Sequence, residues 1–163
     1  MPQRDEVDRI VEAWSRERPD LDFAPLHVLS RVGRLAKHLE RARRSAFAVA
    51  GVEPWEFDVL SALRKAGAPY QLSPTALVQQ TMVSSGTMTN RIDRMVSRGL
   101  VQRRTDPNDG RGVIVRMTAS GRESVDGAIT SLVHDETALL ARMSPAEQER
   151  LSGLLRKLSL DGE

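Results

Sequence analysis

Apolar residues near the N-terminus recur every three or four positions, at Val7, Ile10, Val11 and Trp14. This spacing places them on one face of a helix and predicts an amphipathic helix over residues 4–18. A second helix is predicted over residues 25–50, where Gly51 provides the stop. A third is predicted over residues 54–66, because Pro54 is suited to the first turn of a helix. The first part of the chain is therefore expected to be mainly helical.

The middle of the chain changes from a helical pattern to a pattern of strands. A short helix is predicted from Ser73 to Gln80 and, after a tight turn, another helix over residues 84–98, called the recognition helix below. The following run, LVQRRTDPNDGRGVIVRMT, contains two strand-like segments around a loop of turn-forming residues. The predicted fold class is therefore mainly α with a small β-hairpin wing. Helix, turn, helix and hairpin in this order indicate a winged helix-turn-helix, in which the second helix enters the major groove of DNA.

Two more helices are predicted after the hairpin. Thr118 is expected to cap a helix over residues 119–142, and Ser144 begins a capping box for a last helix that reaches Leu158. Leucines form apolar stripes on these two helices, at positions 132, 139, 140, 151, 154, 155 and 158. The stripes need a covering surface, which comes either from the same chain or from a second subunit. A symmetric dimer would present two winged domains to a two-fold symmetric DNA site.

The distribution of charge supports a DNA-binding interpretation. Residues 84–116 contain seven Arg and three Asp, a net charge of +4, whereas the whole chain carries a net charge of +2. The basic residues are therefore concentrated in the segment that would approach phosphate groups.

The recognition helix has two chemically different sides. Its apolar side is expected to face the core, at Met88, Ile92, Met95 and Val96. Its other side carries small or hydrogen-bonding residues, at Gly86, Thr87, Asn90, Arg94, Ser97 and Arg98. Arg94 has the donors to pair with guanine, and Asn90 has the groups to pair with adenine. Ser84 and Ser85 at the helix start offer hydroxyl and backbone N–H groups to a phosphate. The alternative is an ordinary solvated polar face.

The tip of the hairpin supplies one further candidate contact. Arg111 lies beside Asp109 and two glycines, and an arginine at such a tip can enter a narrow minor groove. Asp109 is expected to shape the tip rather than to touch DNA, and an ordinary polar turn is the alternative for both residues. The predicted DNA-binding residues are Ser84, Ser85, Thr87, Asn90, Arg94, Arg98 and Arg111.

Composition argues against several other classes of protein. The absence of cysteine excludes disulfides, thiolate metal sites and thiol switches, and three scattered histidines give no reason to expect a metal. No catalytic or phosphate-cradling motif is found, so neither an enzyme nor a cofactor is expected. A winged domain for RNA or protein contacts remains an alternative, which would predict exposed stacking aromatics; none of the six aromatic residues lies in the recognition helix. With a charged N-terminus and no apolar run of ~20 residues, the chain is expected in the cytoplasm and away from membranes.

The run TMTNRIDRMVSRGLVQRRTDPNDGRGVIVRMTASG resembles the MarR family of winged-helix transcriptional regulators, and the resemblance extends from about Leu26 to Leu158. The wing pattern of that family is matched at Asp109, Arg111, Thr118 and Gly121. Gly110 departs from it, because the family often has a second arginine there. The resemblance implies a single domain, with dimerisation helices over residues 4–50 and 119–159 and the winged region over residues 53–117. It also implies a homodimer that binds a pseudo-palindromic operator in double-stranded DNA, acting as a repressor.

The additional first helix resembles a urate-responsive branch of the family. The positions that match that branch are Trp14, Asp58, Arg91 and Arg103. The resemblance implies that these residues bind a small anionic metabolite, with urate and tricarboxylates as the ligand classes. Asp58 is expected to be partly buried and to pair with Arg103 in the unliganded state, and an anion at Arg91 would disturb the recognition helix. The alternative has no ligand pocket: Trp14 fills the core, Asp58 and Arg103 form a structural salt bridge, and Arg91 contacts phosphate.

Overall fold

A computed structural model describes residues 4–106, 109–110 and 112–160 of the chain. The chain divides into two compact units, Met1–Arg43 and Arg44–Glu163. The elements of the described residues are, in chain order, α1 (Glu6–Glu17), α2 (Ala24–Val49), α3 (Pro54–Lys65), β1 (Gln71–Leu72), α4 (Pro74–Thr81), α5 (Ser85–Ser97), β2 (Val101–Thr105), β3 (Val113–Met117), α6 (Ala119–Leu140) and α7 (Pro145–Leu160).

Seven helices were predicted from the sequence and all are present, which confirms a mainly α fold with a winged helix-turn-helix. The recognition helix corresponds to α5, and β2 and β3 form the predicted hairpin. The prediction of a two-stranded wing was incomplete, because β1 pairs antiparallel with β3 and makes a three-stranded sheet in the order β1-β3-β2. Two paired residues are too short a segment to show strand periodicity in a sequence.

The first unit contains α1 and most of α2. Asp5 caps α1 by accepting a hydrogen bond from the backbone N–H of Asp8, and Val7 and Val11 supply the buried face of the helix. Arg31 of α2 donates to both carboxylates, at 2.8 Å to Asp5 Oδ2 and 2.8 Å to Asp8 Oδ1. The hydrogen bond from Arg31 lowers the pKa of Asp5 below its usual value, while the backbone N–H of Asp5, followed by Arg31, lowers the pKa of Asp8.

The second unit is built around a core between α3, α4, α5, α6 and the sheet. Leu60, Leu63 and Leu77 are fully buried there, and the rings of Phe47 and Phe57 stack with centroids 4.1 Å apart. From α5 the core receives the side chains of Met88, Ile92 and Met95. The apolar side of α5 therefore fixes which side of this helix remains outside.

A close joint connects the end of the recognition helix to the start of α6. The Thr118 hydroxyl lies 2.7 Å from the carbonyl oxygen of Gly99 and accepts from the backbone N–H of Gly121 at 3.0 Å, so it caps α6. Gly121 packs directly on the backbone that follows α5, because a Cβ atom placed on it would lie 2.2 Å from the carbonyl oxygen of Leu100. These contacts give a physical reason for the Thr-x-x-Gly pattern noted in the sequence.

Each unit exposes large apolar side chains. In the first unit these include Val28, Leu29, Val32 and Leu35 on α2. In the second unit they include Val49 on α2, Ile129, Val133 and Leu140 on α6, and Leu154, Leu155 and Leu158 on α7. Leu132, which the sequence placed in the same stripe, is instead buried in the core of its own chain.

Candidate nucleic-acid interface

The outer side of α5 presents the polar residues that the sequence predicted for DNA contact. Ser84 caps the helix and accepts from the backbone N–H of Thr87 at 3.2 Å, and the two hydroxyl oxygens lie 2.9 Å apart. Five of the predicted contacts are exposed on this side, namely Ser84, Ser85, Thr87, Asn90 and Arg94. The structure thus brings them together in one surface. Val96, expected to face the core, is 38% exposed, because it lies at the edge of the apolar side.

Trp55 adds an aromatic ring to this surface. The guanidinium carbon of Arg94 lies 4.7 Å from the centroid of the Trp55 ring, and that of Arg91 lies 5.6 Å from it. A cleft of about 470 Å³ is formed here by residues from α3 and α5, which are Trp55, Gly86, Thr87, Asn90, Arg91 and Arg94. The sequence did not predict Trp55 at this surface, since periodicity along one helix does not show what a neighbouring helix brings to it.

Arg98 is exposed at the end of α5 and is also engaged by its own chain. Its guanidinium binds the buried carboxylate of Glu56, and its second amino group donates to the carbonyl oxygen of Gly51 at 2.7 Å. The Oε2 atom of Glu56 also accepts from the backbone N–H of Glu53 at 2.9 Å. The structure therefore engages part of the Arg98 side chain in a link between the end of α5 and the start of α3, and the predicted contact of Arg98 with DNA stays a prediction.

Arg103 pairs with a different carboxylate from the one expected. In β2 its Nη1 atom lies 2.5 Å from Asp93 Oδ1 of α5, so the expected pair between Arg103 and Asp58 is wrong. Asp58 is exposed rather than partly buried, because it lies on the outer side of α3. The salt bridge that does form joins the recognition helix to the first strand of the wing.

Trp14 belongs to the first unit, while the other three predicted ligand residues belong to the second. The indole of Trp14 stacks on Phe23 with ring centroids 6.1 Å apart and is 51% exposed. Trp14 is therefore not a core-filling residue within its unit. It leaves a flat apolar surface accessible to solvent.

At the wing tip, Arg111 lies outside the described residues, and its predicted contact with the minor groove stays a prediction. Around it, Asp109 accepts from the backbone N–H of Gly112 at 2.8 Å through its carbonyl oxygen, and Asp106 donates its N–H to the Gly112 carbonyl at 2.9 Å. Within the part of the chain that the structure describes, no group of acidic residues and histidines could hold a metal ion. None of the described helices is both long and apolar enough to span a bilayer.

Comparison with known proteins gives a consistent result. A family model described as MarR family matches residues 50–112. The chain is 33% identical over 153 residues to the HTH-type transcriptional regulator PecS of Dickeya dadantii, an alignment that covers 94% of this chain and 92% of PecS. Among solved structures, apo MarR from E. coli is 26% identical with a TM-score of 0.65, covering 80% of this chain and 96% of MarR. BpsR of Bordetella bronchiseptica, whose DNA binding is regulated by 6-hydroxynicotinic acid, is 28% identical with a TM-score of 0.58, covering 78% of this chain and 92% of BpsR.

Proposed function

Because the chain belongs to the MarR family of transcriptional regulators and is not an enzyme, we propose that it binds a pseudo-palindromic operator in double-stranded DNA as a homodimer and acts as a repressor. Residues 53–117 would form the DNA-binding region, and residues 4–50 and 119–159 would form the dimer. Such a regulator meets its operator in the cytoplasm. A small anionic metabolite would release the protein from DNA.

The observation that carries the proposal is the exposed polar side of α5. Arg94 and Asn90 lie on the same side of this helix and carry the donors and acceptors that read guanine and adenine in the major groove. Ser84 and Ser85 lie at its N-terminus, where backbone N–H groups and the helix dipole favour a phosphate. Thr87 completes this surface, and Arg111 is the proposed minor-groove contact.

The exposed apolar residues of the terminal helices support the proposed homodimer. A contiguous apolar surface that remains in contact with water is unfavourable by about 25 cal/mol for each Å². Covering the apolar residues of α6 and α7 with a second copy would remove this penalty. A two-fold axis would then place two α5 helices on successive major grooves of one face of the DNA.

The proposed effector site is centred on Arg91 and Arg103, the two predicted ligand residues that lie in the recognition helix or contact it. Arg91 shares the Trp55 ring with Arg94, and Arg103 is held by Asp93 of α5. An organic anion that binds either arginine would therefore act directly on α5. Trp14 and Asp58 complete the proposed ligand set, and regulation of BpsR by an aromatic acid is a related behaviour in a structural relative. Urate and tricarboxylates are the ligand classes to test.

The proposal can be tested by selecting bound sequences from random duplex DNA and measuring affinity for the selected operator. Arg94→Ala should weaken specific binding by ~1–3 kcal/mol and relax base preference in each half-site. Lys65→Ala is a matched control, since Lys65 is exposed in the last turn of α3, about 15 Å along that helix from Trp55, and is not one of the predicted DNA contacts. If the wild-type chain selects no sequence, or if Arg94→Ala keeps the full preference, the proposed reading of DNA is refuted.

A further inference from the structure

Trp55 connects the core of the winged region to its outer surface. It is the second residue of α3, and its half-buried side chain packs against the hydrophobic core. The exposed part of the ring lies beside the guanidinium groups of Arg91 and Arg94, at centroid distances of 5.6 and 4.7 Å. A ring anchored in this way is a fixed platform for side chains that reach it from α5.

The arginines in and around α5 are held in two different ways. Arg98 and Arg103 are held by carboxylates, Glu56 and Asp93 respectively. Across the described residues no ion pair involves Arg91 or Arg94, and the aromatic ring is their observed contact. The difference matters because a carboxylate occupies the N–H donors of a guanidinium, whereas a ring occupies its flat face.

An arginine held over a ring, with no carboxylate on its N–H groups, therefore keeps its donors available for a base. Guanine is read by two parallel hydrogen bonds from one guanidinium to O6 and N7, which requires a fixed plane and a free edge. A free arginine side chain has many rotamers, and ordering it on binding costs conformational entropy. The Trp55 platform restricts that freedom before DNA arrives.

We propose that Trp55 is a positioning residue for base reading: it holds the guanidinium of Arg94 by its face and leaves the donor edge free for guanine. This inference rests on the proposed function, because it assigns to Arg94 the base contact described above. It assigns Trp55 a role in sequence preference, not in general attraction to DNA. Phosphate contacts come from Ser84, Ser85 and the net positive charge, none of which depends on the ring.

The test compares binding to the selected operator with binding to a scrambled duplex of the same length. Trp55→Leu should reduce affinity for the operator by about 3- to 10-fold for each half-site, the change expected from ordering one long side chain on binding. Affinity for the scrambled duplex should change less than about 2-fold, since phosphate attraction is independent of sequence. Trp55→Tyr, which restores a flat ring, should recover most of the operator affinity.

Two controls separate positioning from folding. Leucine keeps an apolar side chain against the core, and thermal unfolding of Trp55→Leu shows whether the fold is retained. If the fold is lost, the affinities for operator and scrambled duplex are compared between the wild type and Trp55→Tyr instead. In addition, Trp55→Leu combined with Arg94→Ala should bind the operator no more weakly than Arg94→Ala alone, because the ring acts through that side chain.

The possible outcomes are distinct. If Arg94→Ala loses the preference while Trp55→Leu keeps it fully, the positioning role is refuted and the proposed function stands. Equal weakening of operator and scrambled duplex by Trp55→Leu also refutes the positioning role, since it indicates a general structural defect. If the wild-type chain shows no sequence preference, the proposed function fails and the role of Trp55 fails with it.

Discussion

Replacing Gly121 by alanine should destabilise the protein although alanine is the better helix former. Gly121 lies in the first turn of α6, where a Cβ atom would meet the carbonyl oxygen of Leu100 at 2.2 Å and Met117 Cγ at 3.1 Å. Ordinary contact begins at 3.4 Å, so the first distance is more than 1 Å too short. The nearest obstacle is backbone, which cannot rotate away as a side chain does. The start of α6 must therefore move away from Leu100.

The cost of this movement can be estimated from its parts. Forcing extra volume into a packed site costs about 1–3 kcal/mol. Displacing α6 also weakens the Thr118 cap, an interaction typically worth ~1 kcal/mol. The higher helix propensity of alanine returns at most ~1 kcal/mol. We therefore expect Gly121→Ala to lower the free energy of unfolding by about 1–3 kcal/mol, which for a chain of this length lowers Tm by about 2–4 °C for each kcal/mol.

Gly127→Ala is the matched control on the same helix. Its Cβ would lie 3.9 Å from Ala50 Cβ, an ordinary contact, so the change should leave stability unaltered or raise it by up to ~1 kcal/mol. Both variants can be measured by urea and thermal unfolding at one fixed protein concentration, because the stability of the proposed homodimer would depend on concentration. An unfolding free energy for Gly121→Ala equal to or above that of Gly127→Ala would refute the packing argument.

Two other regions give testable expectations. Arg98→Ala leaves the buried carboxylate of Glu56 without its cation, and urea unfolding should show a loss of ~1–3 kcal/mol, below the value for a fully buried pair because the Arg98 side chain is 45% exposed; wild-type stability in this variant would show that the pair is not structural. The lowered pKa of Asp5 means that its contribution to stability is complete above the usual value of 3.8 and disappears as pH falls through the lower folded value. In an NMR titration the Asp5 carboxyl should titrate below 3.8, and Arg31→Ala should move it upward; no movement would exclude Arg31 as the cause.

The helices could be predicted from the sequence because their signals are local. Apolar spacing placed Met88, Ile92 and Met95 on the buried side of α5, and the hydroxyl of Ser84 caps that helix. Both signals depend on residues within about four positions of each other. The polar side of α5 followed directly from the position of its apolar side.

The partners of the charged residues could not be predicted in the same way. Arg98 binds Glu56, which is 42 residues away, and Arg103 binds Asp93 on another element. Such pairs depend on how the helices and strands pack against each other. Asp58 was the expected partner of Arg103 but lies exposed on the outer side of α3, whereas Asp93 of α5 lies within reach of Arg103. The contribution of Trp55 was not predicted for the same reason, since its ring joins the outer polar surface of α5 only when α3 and α5 meet.

The joint between Thr118, Gly121 and Leu100 has a mechanical consequence. Leu100, which follows the recognition helix, packs closely against the start of α6, whose 22 residues form a helix about 33 Å long. In the proposed homodimer, a rotation of only about 6° about the far end of this helix would move each recognition helix by about 3.4 Å. This is the rise of one base pair along a DNA strand. Because Gly121 couples the two helices closely, a small rotation between subunits would move both recognition helices away from the spacing of successive major grooves.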